Sequence, residues 1–218
     1  MTRAARRTMP VGVAVLLALA AAAVADAASR GDRPARPAHA TRLAKGKFLV
    51  ASRDLVDPNF FETVILLVDY DPHGALGVVV NRPTAVRLVE ALPEVTELRR
   101  RKDVVFLGGP VARDRMLLLV RTSNAPRQSF RVFDRVYASG DLDALRHSLA
   151  HGEGVRAFAG YAGWGPGQLD AEVARGDWLI GPADATALFD TAPSAIWDDL
   201  VERFSGDWTM LSPHLLAN

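Results

Sequence analysis

The chain has 218 residues, with 26 Lys and Arg against 25 Asp and Glu, a formal charge of +1, and no cysteine. That balance leaves no electrostatic footprint for nucleic acid, and the missing thiols exclude disulfides, a cysteine nucleophile and a lipoprotein anchor. The length suits one ordinary domain of about 100–200 residues plus a tail.

The chain opens on Arg3, Arg6 and Arg7, continues through an uncharged stretch from Thr8 to Ala25, and reaches Ala25-Asp26-Ala27. A basic n-region, an apolar h-region and a small-x-small site form a secretory signal, so residues 1–27 read as a signal peptide. The uncharged stretch also has the length of a minimal membrane-spanning helix, which makes an uncleaved anchor the second reading. A misassigned start ahead of a cytoplasmic protein is the third. Cleavage after Ala27 leaves 23 basic and 24 acidic residues, a formal charge of −1. Residues 28–43, rich in Pro, Ala and Arg, bury too little apolar surface to offset their ordering entropy and read as a flexible linker.

From Lys45 to Phe204 no second linker or fixed-period repeat occurs, so 44–207 reads as one domain, with a C-terminal tail at 208–218. Phe48 to Ala51 opens it as a strand. Thr63 to Val68 is a continuous apolar, largely β-branched run, expected as a strand covered on both faces. Ala75 to Val80 follows after Asp71-Pro72-His73-Gly74, turn chemistry that makes the two strands a hairpin. Further strands are expected at Val104–Leu107, Met116–Val120, Ser129–Phe133 and Val155–Gly160. Only the last two alternate cleanly, which suggests one solvated face there.

Helices are fewer. Asp141 to Ala150 carries Leu142, Leu145 and Leu149 on one side, with Ser139 as its cap and Gly152 beyond its end. Pro193 to Phe204 carries Ile196, Trp197, Leu200, Val201 and Phe204 in one stripe, with Asp199 and Arg203 spaced for an ion pair on the wet side. Thr84 to Leu92 has the weakest pattern of the set. Pro166 to Arg175 places Pro at the first helical position and Gly176 as the stop. Hairpins interleaved with peripheral helices point to an α+β domain rather than a doubly wound sheet.

The densest signal is Gly160-Tyr161-Ala162-Gly163-Trp164-Gly165-Pro166-Gly167-Gln168-Leu169-Asp170, a strand that runs through glycines into an amphipathic helix. Further blocks are Gly46 to Ala51, Asp57-Pro58-Asn59-Phe60, Gly74 to Pro83, Phe106 to Val111, Trp178-Leu179 and Leu188 to Thr191. Together they resemble the YqgE/AlgH family of bacterial proteins, with Pro166 and Asp170 standing where that family tends to have Ala and Glu. The resemblance implies coiled, partly barrel-like antiparallel or mixed sheets flanked by helices. The N-terminal export signal is the main departure from the family, and it weighs against a cytoplasmic role.

Chemistry has few places to sit. Gly165-Pro166-Gly167-Gln168 at a helix start offers backbone N–H groups to an anion, with Tyr161 and Trp164 as a flat wall; the plainer alternative is a tight strand-to-helix turn. Gly108-Gly109 reads either as an anion nest or as a strand end turning sharply before Pro110. Asp57, Asn59, Asn81 and Arg82 flank apolar strands and form one rim, with Asp57 paired to Arg82, unless they do ordinary turn and capping work. Asp143, His147 and His151 lie in one helical row, which suits the negative helix end better than a metal without a second ligand-bearing element. His39, His73 and His214 offer no catalytic base. There is no Gly-x-Ser-x-Gly elbow and no His-Glu-x-x-His motif. Arg99 to Lys102 reads as a solvated basic loop.

The expectation is therefore a non-enzymatic binding domain in the cell envelope, periplasmic or anchored in the inner membrane. It takes a small anionic ligand or a protein partner, with no cofactor, metal or nucleic acid, and meets a membrane only through an uncleaved N-terminal segment. The alternative is a hydrolase-like enzyme that uses a carboxylate near the Trp164 loop as its base. Transcriptional regulation, a role proposed for some relatives in the resembled family, fits poorly with a signal sequence and the lack of a helix-turn-helix pattern.

Overall fold

Thr63-Val64-Ile65-Leu66-Leu67-Val68 is covered on both faces, as an unbroken apolar run requires; Thr63 through Leu67 are completely buried. In the computed structural model, which describes residues 42–206, most of this run lies in β2 (Val64–Asp71). β2 pairs antiparallel with β1 (Lys47–Ala51) on one side and β3 (Gly74–Val79) on the other. Pro72 and His73 close the β2–β3 hairpin, where the His73 N–H donates to Asp71 Oδ1 at 2.7 Å. The expected signal peptide, the linker as far as residue 41 and the tail at 208–218, with His39 and His214, lie outside the described residues.

The chain continues through β4 (Pro83–Arg87), a one-turn α1 (Leu88–Ala91), a 3-10 helix at Thr96–Arg100, β5 (Val104–Leu107), β6 (Val111–Arg121), β7 (Ser129–Phe133) and β8 (Val136–Ser139). After α2 (Leu142–Ala150) come β9 (Gly154–Trp164), α3 (Gln168–Arg175), β10 (Trp178–Pro182), α4 (Ala185–Phe189) and α5 (Pro193–Gly206). The strands run β10-β1-β2-β3-β9-β6-β8-β7, with β5 pairing β9 in parallel and β4 pairing β5. Ala162 to Trp164 of β9 pairs with β3, whereas Gly154 to Ala159 pairs with β6. Between the two stands Gly160 at φ +74°, where a Cβ would lie 2.7 Å from the Gly109 carbonyl oxygen and 2.8 Å from that of Val111. In a sheet that curls into a half-barrel, the point where β9 changes partner under the β5–β6 connection thus needs a residue without a side chain. The result is a single α+β domain.

Two glycines show which helix covers which face of the β10-β1-β2-β3 array. A Cβ on Gly77 would come 3.5 Å from the Trp164 ring, on the side that α3 covers. A Cβ on Gly181, the partner of Phe48, would overlap the Phe204 ring of α5 at 1.9 Å. One core, built on Phe48, Leu66, Leu119, Phe158, Leu188 and Leu200, fills the curl. A second, with Leu88, Leu98, Leu118, Leu145 and Val155, lies under α2. Each such side chain contributes about 1.5–3 kcal/mol by leaving water.

Several expectations are corrected. Thr84–Leu92 is a strand followed by one helical turn, because the Thr84 hydroxyl donates to the Val105 carbonyl at 2.7 Å and the Leu88 N–H to that of Asp103 at 2.8 Å. Val136–Ser139 and Trp178–Pro182 are additional strands, and Ala185–Phe189 an additional helix. β9 is not solvated along one face, since Ala157 and Phe158 are both fully buried. Asp141, not Ser139, caps α2 by accepting from the Asp143 N–H; the Ser139 hydroxyl supports it by accepting from Asp141 N–H at 3.0 Å. The helix after the glycine run starts at Gln168, with Pro166 in the preceding turn and Gly167 left-handed at the cap. Arg203 pairs across to Asp184 at 3.2 Å instead of to Asp199 on its own helix. In the basic run, Arg99 and Arg100 end the 3-10 helix, while Arg101 pairs with Asp103 at 2.6 Å.

Candidate functional site

The residues singled out in the sequence gather in three places. The first is the loop between β1 and β2. Asp57 Oδ1 accepts from the Asn59 N–H at 2.7 Å, and the Asp57 carbonyl accepts from the Phe60 and Phe61 N–H groups. Asn81, at the end of β3, clasps the far side of this loop: its Nδ2 donates to the Glu62 carbonyl at 2.9 Å and its Oδ1 accepts from the Val64 N–H at 3.0 Å. Arg82 donates from Nη1 to the Asn59 carbonyl at 2.7 Å and from Nη2 to that of Phe61 at 3.2 Å. The expected Asp57–Arg82 ion pair is replaced by these carbonyl bonds, although the charge of Asp57 still acts on the guanidinium. Partial burial lowers the Arg82 pKa and that charge opposes the shift.

The second place is the passage of the β5–β6 connection over β9. Gly108 donates its N–H to the Ala159 carbonyl at 2.9 Å, and its own carbonyl accepts from Val79 at 2.8 Å. A Cβ at Gly109, where φ is +156°, would sit 2.2 Å from the carbonyl carbon of Tyr161. Gly108 and Gly109 therefore let two backbones touch. Half-buried Tyr161 pairs with Val111 at this crossing.

The third place is the start of α3. Trp164 is nearly buried, and its indole N–H donates to Glu172 Oε2 at 2.8 Å. Trp178, from β10, donates its indole N–H to the same oxygen at 2.9 Å. Gln168 Nε2 donates to the other oxygen, Oε1, at 3.0 Å, while Gln168 Oε1 accepts from the Gly165 N–H at 3.1 Å. The Gln168 N–H in turn donates to the Gly165 carbonyl. The carboxylate nearest the Trp164 loop is thus Glu172, and both its oxygens are engaged. Gly167 stands apart, with open space where a Cβ would be.

Phe60 joins the first place to the third. Its ring stacks on Trp164 with centroids 6.4 Å apart and meets Trp178 edge-on at 5.9 Å. Phe61, next in the chain, points the other way: it is 49% exposed, and the Arg82 guanidinium lies 5.3 Å from its ring centroid. Glu172 escaped the sequence reading although it stands four residues after Gln168, the spacing at which helical side chains meet. Trp178 was visible only as part of a resemblance, and Phe61 carried no signal at all.

Away from these places, the His147 and His151 rings lie 4.3 Å apart, tilted by 38°, and the His151 ring Nδ1 lies 2.7 Å from the His147 carbonyl, while Asp143 pairs with Arg146. Among the described residues no group of three ligating side chains comes together to hold a metal. An open groove of about 370 Å³ between α4 and α5 is bordered by Asp184, Thr191 and Arg203. Another, of about 560 Å³, lies beside Arg42, Lys45 and Tyr70. The candidate residues border neither.

Comparison with known proteins places these features in a wider set. Residues 48–209 match the family model described as AlgH-like (DUF179). The chain is 38% identical over 175 residues to a UPF0301 protein of Streptomyces coelicolor, covering 78% of this chain and 91% of that one. It is 39% identical over 175 residues to a UPF0301 protein of Rhodococcus opacus, covering 78% and 87%. Among solved structures it resembles the solution structure of the AlgH protein from Pseudomonas aeruginosa, with a TM-score of 0.63 and 28% identity over 86% of this chain and 100% of that one. It also resembles the crystal structure of a Corynebacterium diphtheriae protein, with a TM-score of 0.65 over 75% of this chain and 88% of that one. Identity there is 24%, so that likeness is one of fold.

Proposed function

We infer that this chain, which belongs to the AlgH-like family, is a non-enzymatic binding domain of the cell envelope that engages a protein partner through the loop between β1 and β2. The observation that carries this reading is the opposed orientation of two adjacent phenylalanines. Phe60 is driven inward onto Trp164 and Trp178, and that anchor holds Phe61 out in water beneath the Arg82 guanidinium. Val56, on the same loop, is 86% exposed.

Asn81 and Arg82 fix the loop backbone at Asn59, Phe61, Glu62 and Val64. A loop ordered before binding avoids part of the entropy cost of association, and aromatic and arginine side chains dominate the energetics of protein interfaces. The candidate residues Asp57, Asn59, Asn81, Arg82, Trp164, Gly165 and Gln168 are the frame that presents this surface. Glu172, whose oxygens already accept three hydrogen bonds, supports a structural role for the carboxylate beside Trp164 rather than that of a free base.

Export is supported by the order of basic, apolar and small-residue segments in residues 3–27. N-terminal sequencing of the protein recovered from fractionated cells tests it: a start at Ala28 in the periplasm, or an intact leader in the inner membrane, agrees with export, and an intact cytoplasmic chain refutes it. For the loop, a photo-crosslinking side chain is placed at position 61 and, as control, at Phe130, which is 47% exposed on β7. A discrete adduct from position 61 alone is expected. Equal adducts from both positions, or none from 61, would overturn the reading.

A further inference from the structure

On the face of β9 that looks into the curl, Gly154 stands opposite Arg121 and Arg156 opposite Leu119, so the two arginines share that face two residues apart. A Cβ on Gly154 would lie 3.4 Å from Arg121 Nε and 3.3 Å from Phe189 Cδ1. Its absence leaves room for Arg121 and Phe189 to close over the strand, with the Arg121 guanidinium 5.0 Å from the Phe189 ring centroid. Asp190, just past α4, accepts from both arms of that guanidinium at 2.6 and 2.9 Å. Each of its two oxygens thus accepts one bond from Arg121.

Among the described residues, Arg156 has no carboxylate bonded to it in this way. Its guanidinium lies over the Phe106 ring, 4.6 Å from the centroid, and among the described residues its hydrogen bonding is a single long contact from Nη1 to the Val80 carbonyl at 3.3 Å. A guanidinium presents a planar fork of N–H donors that matches an oxyanion. Half-burial strips water from this one and lowers its pKa, an effect that the nearby charge of Asp190 only partly opposes. Charges withdrawn from water are ordinarily paired. Here the carboxylate whose charge reaches both guanidinium groups, Asp190, is hydrogen-bonded to Arg121.

We propose that Arg156, held over Phe106 beside the Arg121–Asp190 pair, is the binding site of a small oxyanion, a carboxylate or phosphate group. The fork of Arg156 supplies the donors, Phe106 covers one side of it, and Asp190 limits the charge the site accepts. The site lies on different elements from the β1–β2 loop and does not depend on that loop's role.

The test titrates inorganic phosphate and, separately, acetate into the full chain at constant ionic strength, with chloride as the balancing anion. The side-chain Nε–H resonance of Arg156 is followed by NMR and the melting temperature in parallel. A saturable movement of that resonance is expected with at least one of the two anions, and the anion that binds more tightly identifies the ligand class. Arg156→Gln weakens binding about ten-fold or more, the scale of one lost charge-assisted contact, and Asp190→Asn tightens it by removing the competing carboxylate. Should Arg156→Gln not fold, Arg156→Lys keeps the charge but not the fork and is expected to bind more weakly than the wild type. A resonance unmoved by both anions, or binding to the Arg156 variant as tight as to the wild type, overturns the assignment.

Discussion

Trp164 donates its indole N–H to Glu172 Oε2 at 2.8 Å, and that bond belongs to a chain of hydrogen bonds that converges on this carboxylate. Gly165 N–H donates to Gln168 Oε1, Gln168 Nε2 to Glu172 Oε1, and the two indoles to Glu172 Oε2. Only a side chain that accepts at both oxygens satisfies this arrangement. Glu172→Gln turns one acceptor into a donor facing a donor, and rotating Gln168 to compensate sets its amide against Gly165 N–H. The expected loss is about 1–3 kcal/mol, and Glu172→Ala, which leaves both indoles without acceptors, costs more. Urea denaturation followed by tryptophan fluorescence checks it, as a lower midpoint at unchanged slope.

The Tyr70 hydroxyl donates to Asp170 Oδ1 at 2.8 Å, tying β2 to the first turn of α3. That hydrogen bond is the largest cause raising the Tyr70 pKa above the usual tyrosine value, followed by desolvation and the Asp170 charge. A raised pKa stabilises the fold fully below the unfolded value, and the contribution disappears as pH climbs through the folded one. Absorbance titration of wild type and Asp170→Asn should show this phenol ionising later in the wild type; coincident curves would refute the coupling.

Asp190 behaves with the opposite sign. The hydrogen bond from Arg121 is the main cause holding its pKa below the usual carboxylate range. The contribution of this pair is present above the unfolded aspartate value and fades as pH falls through the folded one. The stability difference between wild type and Asp190→Asn is therefore expected to shrink in acid, as read from melting curves across that range.

Much of this fold was readable in the residues because local patterns and tertiary demands agree there. The apolar run at Thr63–Val68 needed two covered faces, and Asp71 to Gly74 needed to turn. Val136–Ser139 was not readable, since four residues separated by only two from the preceding strand carry no periodicity of their own. Trp178–Pro182 hides behind Gly181 and Pro182, which elsewhere signal loops; here Pro182 lies at the end of an edge strand, and Gly181 makes room for Phe204. Thr84–Leu92 departs from the expected helix because its weak helical pattern is outweighed by long-range bonds to β5 and Asp103. At the candidate site the polar residues were visible but their partners were not: Arg82 binds carbonyls more than twenty positions away, and which backbone oxygen a side chain reaches is settled only by the register of the strands that carry it.

Gly109 and Gly140 separate two roles of one residue type. At Gly109 an added Cβ meets the Tyr161 backbone at 2.2 Å with φ at +156°, whereas at Gly140 nothing lies within 4 Å. Gly109→Ala must part the β5–β6 connection from β9 and is expected to cost more than about 4 kcal/mol, the range of changes that combine strain with broken packing. Gly140→Ala should stay within about 1 kcal/mol of wild type. Thermal unfolding of the pair checks both.

Asn81 holds the β1–β2 loop to the sheet by serving as backbone for its neighbours. Its Oδ1 takes the N–H of fully buried Val64 and its Nδ2 the carbonyl of Glu62, so Asn81→Ala leaves a buried donor without an acceptor at the first residue of β2. The cost is expected at about 1–3 kcal/mol, but the local effect discriminates better than the global one. Hydrogen exchange at Val64 should accelerate beyond the change in global stability, while exchange at Leu66, deeper in the same strand, follows the global value. Asn81→Asp keeps the acceptor for Val64 and loses the donor to Glu62, so it should restore protection at Val64 without restoring full stability. If Val64 remains as slow as Leu66 in Asn81→Ala, the loop is held by Phe60 and Arg82 alone, and Asn81 is not part of the frame that presents Phe61.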